Sequence, residues 1–481
     1  MTGNSAAYAP PGGTERAAPL PRGRRRTELA MLVFAIAVVL LAYVSAGYGL
    51  NGKLPPGVLS AGAAFAALAL AAHLAVRRLA PWADPLLLPL AAVLNGLGIV
   101  MIYRLQQAGR NGNPSATGAP IGTLSAHATT YQVIYSAAGL ALFIALLAVI
   151  RDARVLQRYA YTLGVVGLVL LALPAVLPAS LSSIQGAKVW IIIGGFSVQP
   201  AEFAKLALAA FFASYLVAKR DVLALAGRRF IGIDLPRGRD LGPVLLAWAA
   251  SLLILVFETD IGTSALFFGM FVVMIYIATQ RTSWLLIGLL LFAAGSYLAS
   301  RLFSHVGERF DIWLHPFTAA NITGNGYQLV QGLEGMGFGG VLGTGLGHGQ
   351  PFFTILVQSD FIITAFGEEL GLTGLMALLI IFGLIVQRGL RAAIAVKDPF
   401  AKLLAAGLSF VLALQVFVIV GGVTRLIPLT GITTPFLSQG GSSLVSSWAL
   451  IAVLVRISDT ARRPAPQPIQ DEGMTQVVRT G

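Results

Sequence analysis

The sequence predicts an all-α, polytopic transmembrane bundle of about 12 spans, and three observations carry that prediction. Of the 481 residues, 56% are hydrophobic and only 11% are charged, against about 25% charged in a soluble globular domain. The apolar runs are helix-length and rich in Gly, Ala and Leu, unlike the short alternating segments of a membrane barrel. Basic residues also fall on alternate connections. With the N-terminus inside, the inner segments hold Arg16, Arg22 and Arg24 to Arg26, then Arg77 and Arg78, then Arg151, Arg154 and Arg158. They continue with six between Lys219 and Arg239, Arg281, the group from Arg388 to Lys402, and four from Arg456 to Arg479. That is 25 of the 33 Lys and Arg residues, a positive-inside bias that places both termini in the cytoplasm. The net charge of +13 follows from this and calls for no nucleic acid. Cysteine is absent, so disulfides and thiolate metal sites are excluded, and the redox compartment is not legible.

In chain order, residues 1–28 are rich in Pro, Gly and Arg without periodicity and read as a disordered cytoplasmic tail. Two spans follow within 29–83, at 29–49 and 57–76. The first is too long for the apolar region of a signal peptide. Further spans are expected at 84–103, 130–150, 159–180, 200–217, 241–257, 264–279, 283–301, 361–386, 403–421 and 441–457, before a disordered cytoplasmic tail at 459–481. The outer side then receives Arg104 to Thr129, Leu181 to Gln199 and the large loop 302–360. Leu181 to Gln199 mixes apolar residues with Gly pairs and reads as a re-entrant or interfacial element, with Trp190 at headgroup depth. Asn325 to Gln350 carries glycine at about every third position. It reads as too flexible for a regular exposed helix, lying against the bundle as a substrate-contacting or an ordinary outer loop.

Chemistry-bearing residues gather at four places. Glu258 and Asp260 stand with Gly262 between two apolar runs. Intramembrane acids are costly and need a reason, although acids in water at the membrane surface would satisfy the pattern equally. Gln199-Pro200-Ala201-Glu202 opens a helix, with Pro200 at its first position and Glu202 at its positive end. Lys205 is three residues on, so the two charges form an ion pair or line a polar cavity. Asp360 stands as an N-cap before a span that carries Glu368 and Glu369 about two turns in, where one or both acids must face protein or water. Thr424 to Ser443, with two prolines and several glycines and hydroxyls, is broken backbone that is tolerated where protein covers it or water reaches it. Within it Arg425 is an outer cation suited to a phosphate or carboxylate, or to a salt bridge with one of the acids.

Together these residues identify a family. Gly186-Ala187-Lys188 with Trp190, Gln199-Pro200-Ala201-Glu202 with Lys205, Asp260-Ile261-Gly262-Thr263, Gly326-Tyr327-Gln328 and Gly345-Leu346-Gly347 occur in order. Asp360-Phe361, Gly367-Glu368-Glu369-Leu370-Gly371, Pro428-Leu429-Thr430-Gly431 and Pro435 to Ser443 follow. In this the chain resembles the SEDS family (shape, elongation, division and sporulation), its RodA branch more than its FtsW branch, over roughly Asp84 to Ser458. The departures are Thr259 where the family commonly has Pro, Ala201 where it has Ser, Gln439 where it has Tyr, and Val189 where it often has Arg. None removes an acid. The first two spans read as additions to a ten-span core at 84–458.

The resemblance implies a peptidoglycan glycosyltransferase that polymerises lipid II, a disaccharide-pentapeptide on undecaprenyl pyrophosphate, at the outer face of the cytoplasmic membrane. The family's catalytic acid falls on Asp260, a general base for the acceptor 4-hydroxyl. Lys188, Trp190, Lys205, Glu368, Arg425 and Ser442 are the expected substrate-binding residues, with Glu202, Glu258, Glu369 and Gln439 in support. Arg309 and His315 are secondary candidates. The leaving pyrophosphate needs positive charge, from Lys188, Arg425 or a divalent cation, Mg²⁺ or Mn²⁺; no cluster dictates a metal, and no nucleotide is expected. The implied partners are a class B penicillin-binding protein and membrane proteins of the elongation complex. A lipid II flippase, a division-specific polymerase and a non-catalytic scaffold are the alternatives. A GxxxxGK loop is missing, which argues against ATP-driven transport within this chain.

Overall fold

The computed structural model describes residues 25–110, 127–183, 188–194, 196–223, 226–230, 233–236, 249–250 and 260–464. All but residues 249–250 of the expected span at 241–257, Glu258, Gly186 and Ala187, and most of both tails lie outside the described residues. Ten of the twelve expected spans are helices long and apolar enough to cross a bilayer. They are α1 (Arg25–Asn51), α2 (Val58–Leu79), α3 (Leu87–Arg110), α4 (Ala128–Val149), α8 (Ala201–Leu223), α9 (Ile261–Thr279), α10 (Ser283–Leu302), α14 (Ile362–Ala395), α15 (Pro399–Val423) and α16 (Gly441–Arg462). The expected span at 159–180 is the 17-residue helix α6 (Ala160–Val176), preceded by the single-turn α5 (Arg154–Arg158). Thus the chain is a multi-pass helical membrane protein.

Helices α3, α15 and α16 are mostly enclosed by protein, whereas α2 and α10 turn most of their surface outward. The enclosed ones carry small residues where neighbours approach. A Cβ on Gly407 of α15 would lie 2.7 Å from the Met274 sulfur on α9. One continuous apolar core joins these helices. At one end of the bundle a charge cluster ties three segments. Asp84 pairs with Arg462, and Asp459 takes the Trp82 amide at 2.8 Å and the Arg463 guanidinium at 2.8 Å. Because Asp459 is fully buried there, α16 runs to Arg462 as helix, past the expected start of the tail at 459. Likewise α1 begins at Arg25 and buries Glu28, which meets His73 Nδ1 at 2.7 Å, so the expected tail ends sooner.

The other end holds the irregular segments. Leu181 to Gln199 takes in the end of the turn α7 (Ala179–Ser182) and a two-stranded antiparallel hairpin, β1 (Ile191–Ile193) with β2 (Phe196–Val198). A second hairpin, β3 (Ala226–Phe230) with β4 (Ile233–Pro236), follows the far end of α8, 23 residues along that helix from this face. The large loop folds into α11 (Ser304–Leu314), α12 (Ala319–Thr323) and α13 (Tyr327–Gly339). For Tyr327 to Gly339 this corrects the expectation that Asn325 to Gln350 is too flexible for a helix; Gly340 to Gln350 is irregular. Three glycines of α13 face α14, and a Cβ would lie 2.9 Å from the Phe361 ring at Gly332, 2.9 Å from Glu368 at Gly335 and 2.2 Å from the Gly367 carbonyl at Gly339. Within α13 these three glycines encode close helix approach. Farther along, Gly371 at φ 65° kinks α14 one turn beyond its two glutamates, a left-handed conformation that favours glycine.

Candidate active site

Asp260 caps α9. Its Oδ1 accepts from the Thr263 amide at 3.0 Å and its Oδ2 from the Thr263 hydroxyl at 2.6 Å, so both oxygens are oriented by one residue a turn ahead. The Ser264 hydroxyl donates to the Asp260 carbonyl. Burial pushes the Asp260 carboxyl above its ordinary value, and the two Thr263 bonds and the Arg309 charge oppose that rise. A raised carboxyl is a stronger base once ionised.

The wall beside Asp260 is the broken segment 424–440. A Cβ on Gly262 would meet Ile432 at 2.4 Å and Thr430 at 3.2 Å, which brings this turn against the start of α9. Gly431 sits at φ 77°, and Arg309 of α11 reaches over it: Nη1 donates to the Leu429 carbonyl at 3.1 Å and lies 3.5 Å from where a Gly431 Cβ would be. The Arg309 charge acts on Asp260 and also on buried Asp360, whose carboxyl is likewise raised by burial. Asp360 does not serve as the expected N-cap. Phe361 occupies that position, and Asp360 instead accepts from Ser359 Oγ at 2.8 Å. Asp260, Arg309, Asp360 and the 429–432 turn therefore form one electrostatic group at the irregular end of the bundle.

Behind this wall runs a buried polar chain. Lys205 Nζ meets Glu202 Oε2 at 2.5 Å and Gln415 Oε1 at 3.0 Å; Ser446 donates to Glu202, and Gln415 Nε2 donates to the Thr433 carbonyl. The i,i+3 pair expected from sequence is formed, and it anchors the wall segment through Gln415. Ser442 accepts the Gln199 backbone amide at 2.7 Å, the Gln439 backbone amide donates to the Gln358 carbonyl, and Gln132 donates to the Ser438 carbonyl. Lys188, half-buried, donates to the Ala175 carbonyl at 2.7 Å, and the Trp190 amide bonds Ser182. Arg425, exposed, fastens the end of α11 by donating to the Trp313 and Leu314 carbonyls, while Trp313 Nε1 donates back to Arg425. Its ties are to carbonyls, not to the acids. His315 is exposed.

The paired glutamates form a separate group. Glu369 binds Arg104 of α3 in a fully buried pair and accepts the Gly347 amide at 3.1 Å. Glu368 accepts the Gln350 amide and lines a cavity of about 1030 Å³ beneath α13. Arg104 escaped the sequence reading because it stood at a span boundary; a cation at that depth is itself the signal. Among the described residues no cluster of three or more His, Asp or Glu side chains is placed to hold a metal ion.

The profile of the FtsW/RodA/SpoVE family, described as cell cycle protein, matches residues 84–463. Peptidoglycan glycosyltransferase RodA of Mycobacterium tuberculosis is 50% identical over 450 residues, covering 93% of this chain and 92% of that protein. The probable peptidoglycan glycosyltransferase FtsW of Geobacter metallireducens is 30% identical, covering 78% of this chain and 94% of its own. Among solved structures, a peptidoglycan synthase complex that coordinates polymerization and crosslinking aligns with a TM-score of 0.59 at 25% identity, over 79% of this chain and 99% of the other. The rod shape determining protein RodA of Thermus thermophilus aligns with a TM-score of 0.53 at 23% identity, over 79% of this chain and 98% of its own.

Proposed function

Because the chain belongs to the FtsW/RodA/SpoVE family, we propose from its site how it works as a RodA-like peptidoglycan glycosyltransferase, with lipid II as substrate and Asp260 as general base. The observation that carries the base assignment is the Asp260 carboxylate, oriented at both oxygens by Thr263 and set against a turn that Arg309 overlies. The carboxylate takes the proton of the acceptor 4-hydroxyl as the hydroxyl oxygen bonds to the anomeric carbon of the second sugar. The bond from that carbon to the pyrophosphate oxygen breaks, and undecaprenyl pyrophosphate leaves with the electron pair. General-base help of this kind is worth about 10²- to 10⁴-fold.

Charge developing on the leaving pyrophosphate is met by Arg309, whose charge is felt by both carboxyls and whose planar guanidinium suits phosphate. Lys205 acts through its neighbours: with Glu202 and Gln415 it holds the Thr433 carbonyl and so the wall. The reaction centre faces the outside of the cytoplasmic membrane with both termini inside, in keeping with the distribution of basic residues. A class B penicillin-binding protein cross-links the product, a reading supported by the likeness to the synthase complex. A translocase without polymerase activity is separated by one assay. Vesicles holding the purified protein and fluorescent lipid II yield polymer on gels if the proposal holds, and only translocated monomer if it does not.

A further inference from the structure

The cavity beneath α13 is unused by the chemistry just described, yet its walls are built with care. Tyr327, Gln331, Glu334 and Phe338 recur at helical spacing on one face of α13 and line it. Opposite, the strand of chain from Thr344 to Gln350 is fixed to α14: the Thr344 and Gly345 amides bond the Glu368 and Glu369 carbonyls at 3.0 and 2.9 Å. Arg104 Nη2 holds the Gly349 carbonyl, and Gln328 Nε2 donates to Ile355 at 2.7 Å. The outer end of α1 seats the far side of this strand, since a Cβ on Gly347 would meet the Ala46 carbonyl at 2.7 Å. A pocket so braced is preformed.

Its chemistry narrows the ligand. Among the described residues no Lys or Arg lines it; His348 does, and so do the carboxylates of Glu334 and Glu368, which disfavour a pyrophosphate or an anionic headgroup. A lipid chain would lie against the carboxylates of Glu334 and Glu368 and the side-chain amides of Gln331 and Gln350, displacing water from polar groups at a cost. A ligand with apolar ring faces and hydroxyl or amide edges suits both the rings of Tyr327, Phe338 and Phe353 and the polar groups between them. At about 1030 Å³ the cavity stands at the top of the range of about 300–1,000 Å³ for small-molecule sites, room for more than one sugar. From Ile355 the wall reaches Asp360 in five residues, at most about 18 Å of chain.

We propose that this cavity is a glycan subsite, which holds the N-acetylated sugar chain next to the reaction centre during polymerisation. The proposal rests on the polymerase reading above. The probe is the neutral β-1,4-linked tetramer of N-acetylglucosamine, added to the full-length protein in nanodiscs and followed by saturation-transfer NMR. Wild type and Asp260→Asn bind it alike, and inorganic pyrophosphate does not displace it. Phe338 is 81% exposed, so the double variant Phe338→Ala, Gln331→Ala keeps the core intact; it binds about tenfold more weakly and makes shorter strands. Equal binding by the double variant, displacement by pyrophosphate, or no binding to a wild-type sample that still polymerises lipid II overturns the subsite. Polymerisation by Asp260→Asn at the wild-type rate would instead overturn the base assignment and leave the sugar-binding result standing.

Discussion

At the scale of single residues, Asp260 is governed by three groups: burial raises its carboxyl, while Thr263 and Arg309 favour the ionised form. The base must be ionised, so activity is present above that raised value and is lost as pH falls through it. Replacing Thr263 with Val removes a donor to the carboxylate and raises the carboxyl further. The acidic limb of the rate–pH profile therefore moves to higher pH, and an unmoved limb would contradict the coupling. The Glu202–Lys205 pair makes a different prediction, since both side chains are buried. Glu202→Gln leaves the lysine charge uncompensated, at a cost of about 3–5 kcal/mol, seen as a lowered melting temperature in detergent. The double variant Glu202→Gln, Lys205→Met recovers most of it. That pair was legible at its i,i+3 spacing. The approach of Arg309 to Leu429, 120 residues away, left no local signal.

At the scale of elements, hydropathy marks the spans because a bilayer demands length and apolarity, and nothing else in the chain competes with that demand. The outer loop is harder to read because glycine serves two opposite ends: freedom where nothing is near, and close packing where something is. Gly337 and Gly339 make the contrast. A Cβ on Gly337 meets nothing within 4 Å, whereas one on Gly339 would lie 2.2 Å from the Gly367 carbonyl. Gly337→Ala is therefore neutral, while Gly339→Val forces α13 off α14 at a cost of at least about 1–3 kcal/mol. Limited proteolysis reads this as faster cleavage within 302–360 in Gly339→Val only. Equal protection of both variants would refute the packing account of α13.

At the scale of the whole molecule, the bundle gathers Asp260, the wall segment, the large loop and the ends of α1 and α3 at one end and the Asp84–Arg462 cluster at the other. The proposed topology puts the first end outside, in keeping with the positive-inside bias. The protein's lack of cysteine allows a direct check: a membrane-impermeant maleimide on intact cells labels Thr323→Cys and spares Asp152→Cys until the membrane is opened. Labelling in the reverse order would invert the topology and put the base on the wrong side for a lipid-linked outer substrate. The central claim is that Asp260 performs the proton transfer in glycan polymerisation. It is tested most directly by strand formation from labelled lipid II, with purified protein and its penicillin-binding partner, comparing wild type with Asp260→Asn. Asparagine keeps the cap on α9, so the variant folds. The account predicts polymer from wild type and a loss of about 10²- to 10⁴-fold in the variant; polymer at the wild-type rate from folded Asp260→Asn would contradict it.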